Sequence, residues 1–191
     1  MTRPIYRPPW RIDLEVRDGV RSPLSGAALS EAVVAALEAA GAPAPASIGL
    51  TLADDLELAG LNATHMGVDG PTDVLSFPLV PPEAFPAHPG RRHPTTPTTA
   101  FALPPGRRLH LGDIVISVER AMEQAATGRG GHTGDMRWSA ADELRLLVTH
   151  GVLHVCGWDH AEPDEEAAMR ALERRLRPMI RPSPAGDRPR G

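Results

Sequence analysis

The sequence predicts an α/β (α+β) fold, a single domain in which a four-stranded mixed sheet packs with about five helices. Three observations predict it. Apolar residues alternate with polar ones in four short segments, they recur at helical spacing in others, and the two patterns interleave along the chain. Alternation places every second side chain on one sheet face, whereas a 3.6-residue period builds a helical stripe. Interleaved strands and helices bury their apolar faces by layering on one another.

Taken in order, Ile12, Leu14 and Val16 alternate with charged neighbours and form the first strand. Leu29, Val33, Val34 and Leu37 follow at helical spacing, with Gly41 placed where a helix C-terminal glycine belongs. Ile48, Leu50 and Leu52 make a second strand, and Asp54 with Glu57 three residues on opens a second helix toward His65 as a capping box. The turn-rich GVDGPT leads to a third strand with Leu75, Phe77 and Leu79 on one face.

Residues 80–108 carry proline, threonine and arginine without apolar periodicity and are expected to form a long surface loop. Ile114, Ile116 and Val118 then share a face of the fourth strand. A helix near 119–127 and the glycine-rich TGRGGHTGD precede Ser139, which caps a helix from about Ala140 to Cys156. In the last helix Pro163 suits the first turn, and Asp164, Glu165 and Glu166 favour its positive end. Arg174, Arg175 and Arg177 favour its negative end, Met169, Leu172 and Leu176 form its buried stripe, and Pro178 stops it.

Composition narrows the function. A chain that is 41% hydrophobic and 23% charged has the balance of a globular domain rather than a disordered one. Its net charge of −4 is not the footprint of a protein that grips nucleic acid by charge alone. Locally the sign reverses, because seven arginines between 170 and 190 face only Glu173 and Asp187. That stretch is either a phosphate-facing patch or a solvated helix end and tail. The single Cys156 forms no intramolecular disulfide and suits a reducing compartment. No run approaches ~18 apolar residues, so a soluble, cytoplasmic protein without membrane attachment is expected.

The chemistry concentrates in His150-Gly-Val-Leu-His154-Val-Cys-Gly157-Trp-Asp159-His160. Residues four apart on a helix share a face, so His150 and His154 can meet one ion. A residue six further along the same helix points elsewhere. Gly157 resolves this by ending the helix in a left-handed conformation, so that His160 swings back. Three neutral imidazoles at ~2.0–2.1 Å suit one zinc ion and leave its fourth position open, the pattern of a catalytic rather than a structural site. Zinc so held brings the pKa of water toward ~7. The metzincin peptidases share this spacing as HExxHxxGxxH, with the glutamate as general base. Here that position is Gly151, which argues against a metallopeptidase.

HGVLHVCGWDH is similar to the signature of the YbeY family, the bacterial rRNA maturation factors described as zinc-dependent endoribonucleases. LNATHMGVDGPTDVLSFP (61–78), LGDIVIS (111–117) and GHTGDMRWSAADELRLLVTHG (131–151) agree in the same order, so the resemblance spans roughly 45–177. It implies a four-stranded sheet covered by helices, with His150, His154 and His160 as zinc ligands in a cleft. It further implies cleavage of single-stranded RNA, maturation of the 3′ end of small-subunit rRNA, ribosome quality control, and the small subunit as partner. On this reading residues 1–180 are one zinc-hydrolase-like domain, with 80–108 an inserted loop and 181–191 a flexible tail. Many members carry an arginine where this chain has Met66, which leaves open how a phosphate is clamped. The alternative readings are a non-catalytic zinc-containing ribosome assembly factor and, further off, a zinc peptidase.

Several neighbours carry two readings each. Asp159 either orients a ligand or accepts a proton, as a catalytic candidate, or else caps the turn. Asp73 and Asp113 are expected to make structural hydrogen bonds. Trp158 is expected to pack as a lid rather than stack on a base, and Cys156 to be buried helix surface. The pairs Arg91–Arg92 and Arg107–Arg108 are either RNA contacts or solvated charge.

Overall fold

A computed structural model describes residues 2–90, 108–127 and 138–177. The expected elements are all present. The strands are β1 (Arg3–Arg7), β2 (Trp10–Val16), β3 (Ala46–Ala53), β4 (Val74–Pro78) and β5 (Leu109–Ser117). The helices are α1 (Gly26–Ala39), α2 (Asp55–Met66), α3 (Val118–Thr127), α4 (Ala140–Val155) and α5 (Pro163–Leu176). The tail at 181–191, the stop at Pro178, most of TGRGGHTGD, and Arg91, Arg92 and Arg107 lie outside the described residues.

The sheet has five strands, not four, in the order β1-β2-β3-β5-β4. The additional strand is β1, which pairs antiparallel with β2. Its sequence RPIYR is largely exposed, so no apolar alternation marks it. Proline and arginine on such an edge also discourage pairing with another chain. β2, β3 and β5 run parallel, and β4 closes the other edge antiparallel to β5, so the sheet is mixed as expected.

The two sheet faces bury different partners. Ile12, Leu14, Ile48, Leu50, Ile114 and Ile116 join Leu29, Val33 and Leu37 of α1 and Leu144, Val148 and Val152 of α4 in the main core. Met169, Leu172 and Leu176 bring α5 onto the same core. Ala53, Leu75 and Val115 point to the other face and meet Leu58 of α2. Burying each such aliphatic side chain contributes ~1.5–3 kcal/mol. Leu75 and Phe77 therefore face α2, while Leu79 is 64% exposed beyond the strand end.

Helix ends follow their local signals. Ser139 and Asp142 form a reciprocal capping box on α4. Asp54 accepts from the Glu57 N–H, but the Glu57 carboxylate reaches Arg17 at 2.7 Å. The first part of the expected loop is more than loop. Val80 and Phe85 are buried in the main core, so residues 79–90 form an anchored strap.

Candidate metal centre

α4 delivers two of the three histidines. Its buried side carries Leu144, Leu147, Val148, Val152 and Leu153, which leaves His150 and His154 half-buried at one edge of the packed stripe. The helix then stops as the sequence predicts. Gly157 takes φ +81°, its N–H donates to the His154 carbonyl at 3.0 Å, and the Trp158 N–H donates to the Leu153 carbonyl at 3.0 Å. This paired arrangement is a Schellman motif, which satisfies carbonyls the helix end would otherwise leave open. The chain turns back, and the Asp159 Oδ1 accepts the His160 N–H at 2.8 Å.

The three rings converge. Centroids lie 4.6 Å apart for His150 and His154, 4.9 Å for His154 and His160, and 5.4 Å for His150 and His160. One nitrogen from each falls within 4.8 Å of the other two. The Nε2 atoms of His150 and His154 are 3.1 Å apart. Two ligands at ~2.05 Å in tetrahedral geometry stand ~3.3 Å apart, so this spacing fits a shared ion. The opposite side of His150 is fixed as well, since its Nδ1 lies 2.8 Å from Glu173 Oε1 on α5. A proton held there by the carboxylate leaves the Nε2 lone pair facing His154.

Electrostatics point the same way. Burial, then the neighbouring His150 and His160, push the His154 pKa down to about 4, against opposing pulls from Asp159 and the Trp158 backbone. The ring is therefore neutral at pH 7, the form that ligates. Burial pushes the Cys156 thiol up to about 12, which keeps it protonated and unsuited to metal binding. A cleft of about 190 Å³ opens beside the rings, walled by Asp73, Val74, Leu146, His150, His160 and Glu173.

The sequence model of a family described as Endoribonuclease YbeY matches residues 20–180. The chain belongs to the YbeY family. A curated relative from Roseiflexus, "Endoribonuclease YbeY", is 35% identical over 166 residues, covering 86% of this chain and 89% of its own. One of the same name from Salinispora tropica is 44% identical over 142 residues, covering 74% and 78%. A solution structure of a Thermotoga maritima protein aligns over 93% of this chain and 99% of its own, at 18% identity and TM-score 0.47.

The YbeY match takes in the three histidines, the strap and Glu173. Glu173 is the residue that sequence reasoning overlooked, registering it only as a charge opposing the arginines. Its signal was position: it follows Leu172 and stands four residues after Met169, on the flank of the buried stripe of α5. Gly151 has a different meaning from a missing base. A Cβ there would lie 2.7 Å from Ile114 Cγ2 and 3.2 Å from Val74 Cγ2. The position faces the sheet, where no side chain fits, and not the cleft.

The remaining neighbours have defined places. Asp73 lines the cleft while accepting from the Val74 N–H at 2.9 Å and Gln124 Nε2 at 3.0 Å. Asp113 is exposed, 3.3 Å from His110 Nε2, at the β3 irregularity where Gly49 makes room for its carboxylate. Trp158 is buried and stacks on His88 with centroids 4.1 Å apart. Arg108 donates to the Pro9 carbonyl at 2.6 Å. Met66 is 50% exposed at the end of α2.

Proposed function

We propose that this chain is a metal-dependent endoribonuclease that cleaves single-stranded RNA, with His150, His154 and His160 holding one zinc ion. The observation that carries the reading is the convergence of three imidazole nitrogens within 4.8 Å at the mouth of a cleft. Membership in a family described as Endoribonuclease YbeY supports the substrate class. When bound, a divalent ion supplies Lewis acidity that acidifies water and polarises a phosphoryl oxygen.

The chain's own residues prepare for this. Glu173 keeps the His150 Nδ1 proton in place and points the ring, while burial keeps His154 neutral. The Schellman turn and the Asp159 carboxylate position His160, so Asp159 acts as a positioning residue. A recess of about 190 Å³ suits an extended strand with one nucleotide unit turned in. We further infer a role in maturing the 3′ end of small-subunit rRNA and in ribosome quality control, in the cytoplasm. Support comes from the family and from the absence, among the described residues, of a helix able to cross a membrane.

The test pairs metal analysis with turnover. Purified protein should hold one zinc per chain and cut single-stranded RNA, and His154→Ala should lose both. Equal cleavage by the two would reveal a contaminating nuclease and sink the reading. Ribosome association without any turnover would replace it with an assembly factor.

A further inference from the structure

A second recess adjoins the cleft beside His150. Glu173 and Leu146 also line this smaller recess of about 30 Å³, completed by Trp138, Arg145, Thr149 and Arg177. Asp142 lines it as well. Leu146 and Glu173 line both recesses, so the histidine cleft and the arginine and tryptophan pair adjoin along α4 and α5.

Two carboxylates and two guanidiniums line this recess, but they are not paired one to one. Glu173 is engaged by His150, and Asp142 both completes the Ser139 capping box and pairs with Arg145 at 3.3 Å. Arg177 has its guanidinium 4.6 Å above the Trp138 ring centroid, and among the described residues no carboxylate pairs with it. Stacking occupies the π face of a guanidinium and leaves its in-plane N–H donors, the fork that matches a phosphate. The indole is itself anchored, because its Nε1–H donates to the buried Glu143 carboxylate. Arg145 adds a second cation whose buried Nε has no hydrogen-bond partner. Glu173 and Arg177 are four residues apart on one face of α5, ~6 Å along the axis. The free guanidinium therefore stands one helical turn from the carboxylate that holds His150.

We propose that the Trp138–Arg177 recess is a phosphate subsite, in which Arg177 binds a backbone phosphate next along the strand from the bond cut at the metal centre. This rests on the RNA-cleaving reading above.

The test uses the full-length, zinc-loaded protein and a labelled single-stranded octanucleotide. Kinetics are measured from 50 to 300 mM salt. Arg177→Gln should raise KM about tenfold with kcat changed less than twofold. It should also flatten the log–log salt dependence by ~0.7, the share of one single-strand phosphate contact. Arg177→Lys, which keeps the charge but loses the fork, should fall between. Arg21→Gln, exposed and outside both recesses, should match wild type in both readouts. Unfolding temperatures within about 2 °C of wild type confirm that the variants fold. A wild-type KM and salt slope in Arg177→Gln, with the wild-type protein active, would overturn the subsite alone. If wild type neither binds nor cuts the octanucleotide, the RNA-cleaving reading fails first and the subsite falls with it.

Discussion

Helix α4 and the strap at 79–90 both press on the turn that carries His160, yet only α4 announces itself. α4 buries residues at a regular period and is capped by Ser139 and Asp142 at one end and by the Gly157 motif at the other. The strap has no period. It is held by separate pairings: Pro82 against Gly157, His88 stacked on Trp158, and the Gly90 carbonyl accepting the Asp159 N–H at 3.0 Å. One segment is stabilised by repeating contacts along its own length, the other by a few contacts with residues about 70 positions away. Damage to α4 should therefore spread through the fold, whereas damage to the strap should stay near the turn.

The sharpest way to break that contrast is at Gly151. Gly151→Glu drives a carboxylate into Ile114 and Val74, so loss of more than ~4 kcal/mol and insoluble expression are expected, without any gain of peptidase activity. Gly151→Ala should cost ~1–3 kcal/mol in urea denaturation. Wild-type stability in the glutamate variant would show that α4 does not sit on the sheet this way.

Acid provides the next probe, applied to metal-free protein. His154 is held near pKa 4 in the fold but titrates near 6.5 when unfolded, so between these values the unfolded chain binds more protons. Stability should be level above pH 6.5 and fall on acidification through that window, by on the order of 3 kcal/mol. His154→Gln should remove most of that slope in thermal melts, and an unchanged slope would assign it elsewhere.

Glu173→Gln tests whether α5 serves the histidines. On the proposed site, removing the carboxylate partner of the His150 imidazole should weaken metal binding ten- to a hundredfold, ~1.4–2.7 kcal/mol, in competition with a chelator. Zinc binding as tight as wild type would make the Glu173–His150 pair purely structural.

The mildest change belongs to the strap. A Cβ at Gly90 would lie 2.4 Å from Trp158 Cε3, and the indole is buried too firmly to yield freely. Gly90→Ala should cost ~1–2 kcal/mol and open residues 79–90 to proteolysis. Zinc affinity should drop less than tenfold. A larger loss would show that the strap shapes the ligand turn as strongly as α4 does.

Most elements and the three histidines were legible because short-range geometry carries them. An i, i+4 pair shares a helix face wherever the helix lies, and a glycine after the last turn reverses the chain by its own left-handed backbone. Strand alternation at 48–52 and 114–116 likewise needs only one buried face, although Val118, expected on that strand, opens α3 instead. What lay beyond the sequence rests on partners distant along the chain. β1 became a strand by pairing with β2, and Glu173 joined the site by reaching a histidine 23 residues earlier. Gly151 was read from its neighbours as a lost base, and only Ile114 and Val74, standing where a Cβ would go, show a packing requirement. Tertiary structure decided these features because each energy belongs to a contact, and periodicity within one segment cannot report what a different segment will bring against it.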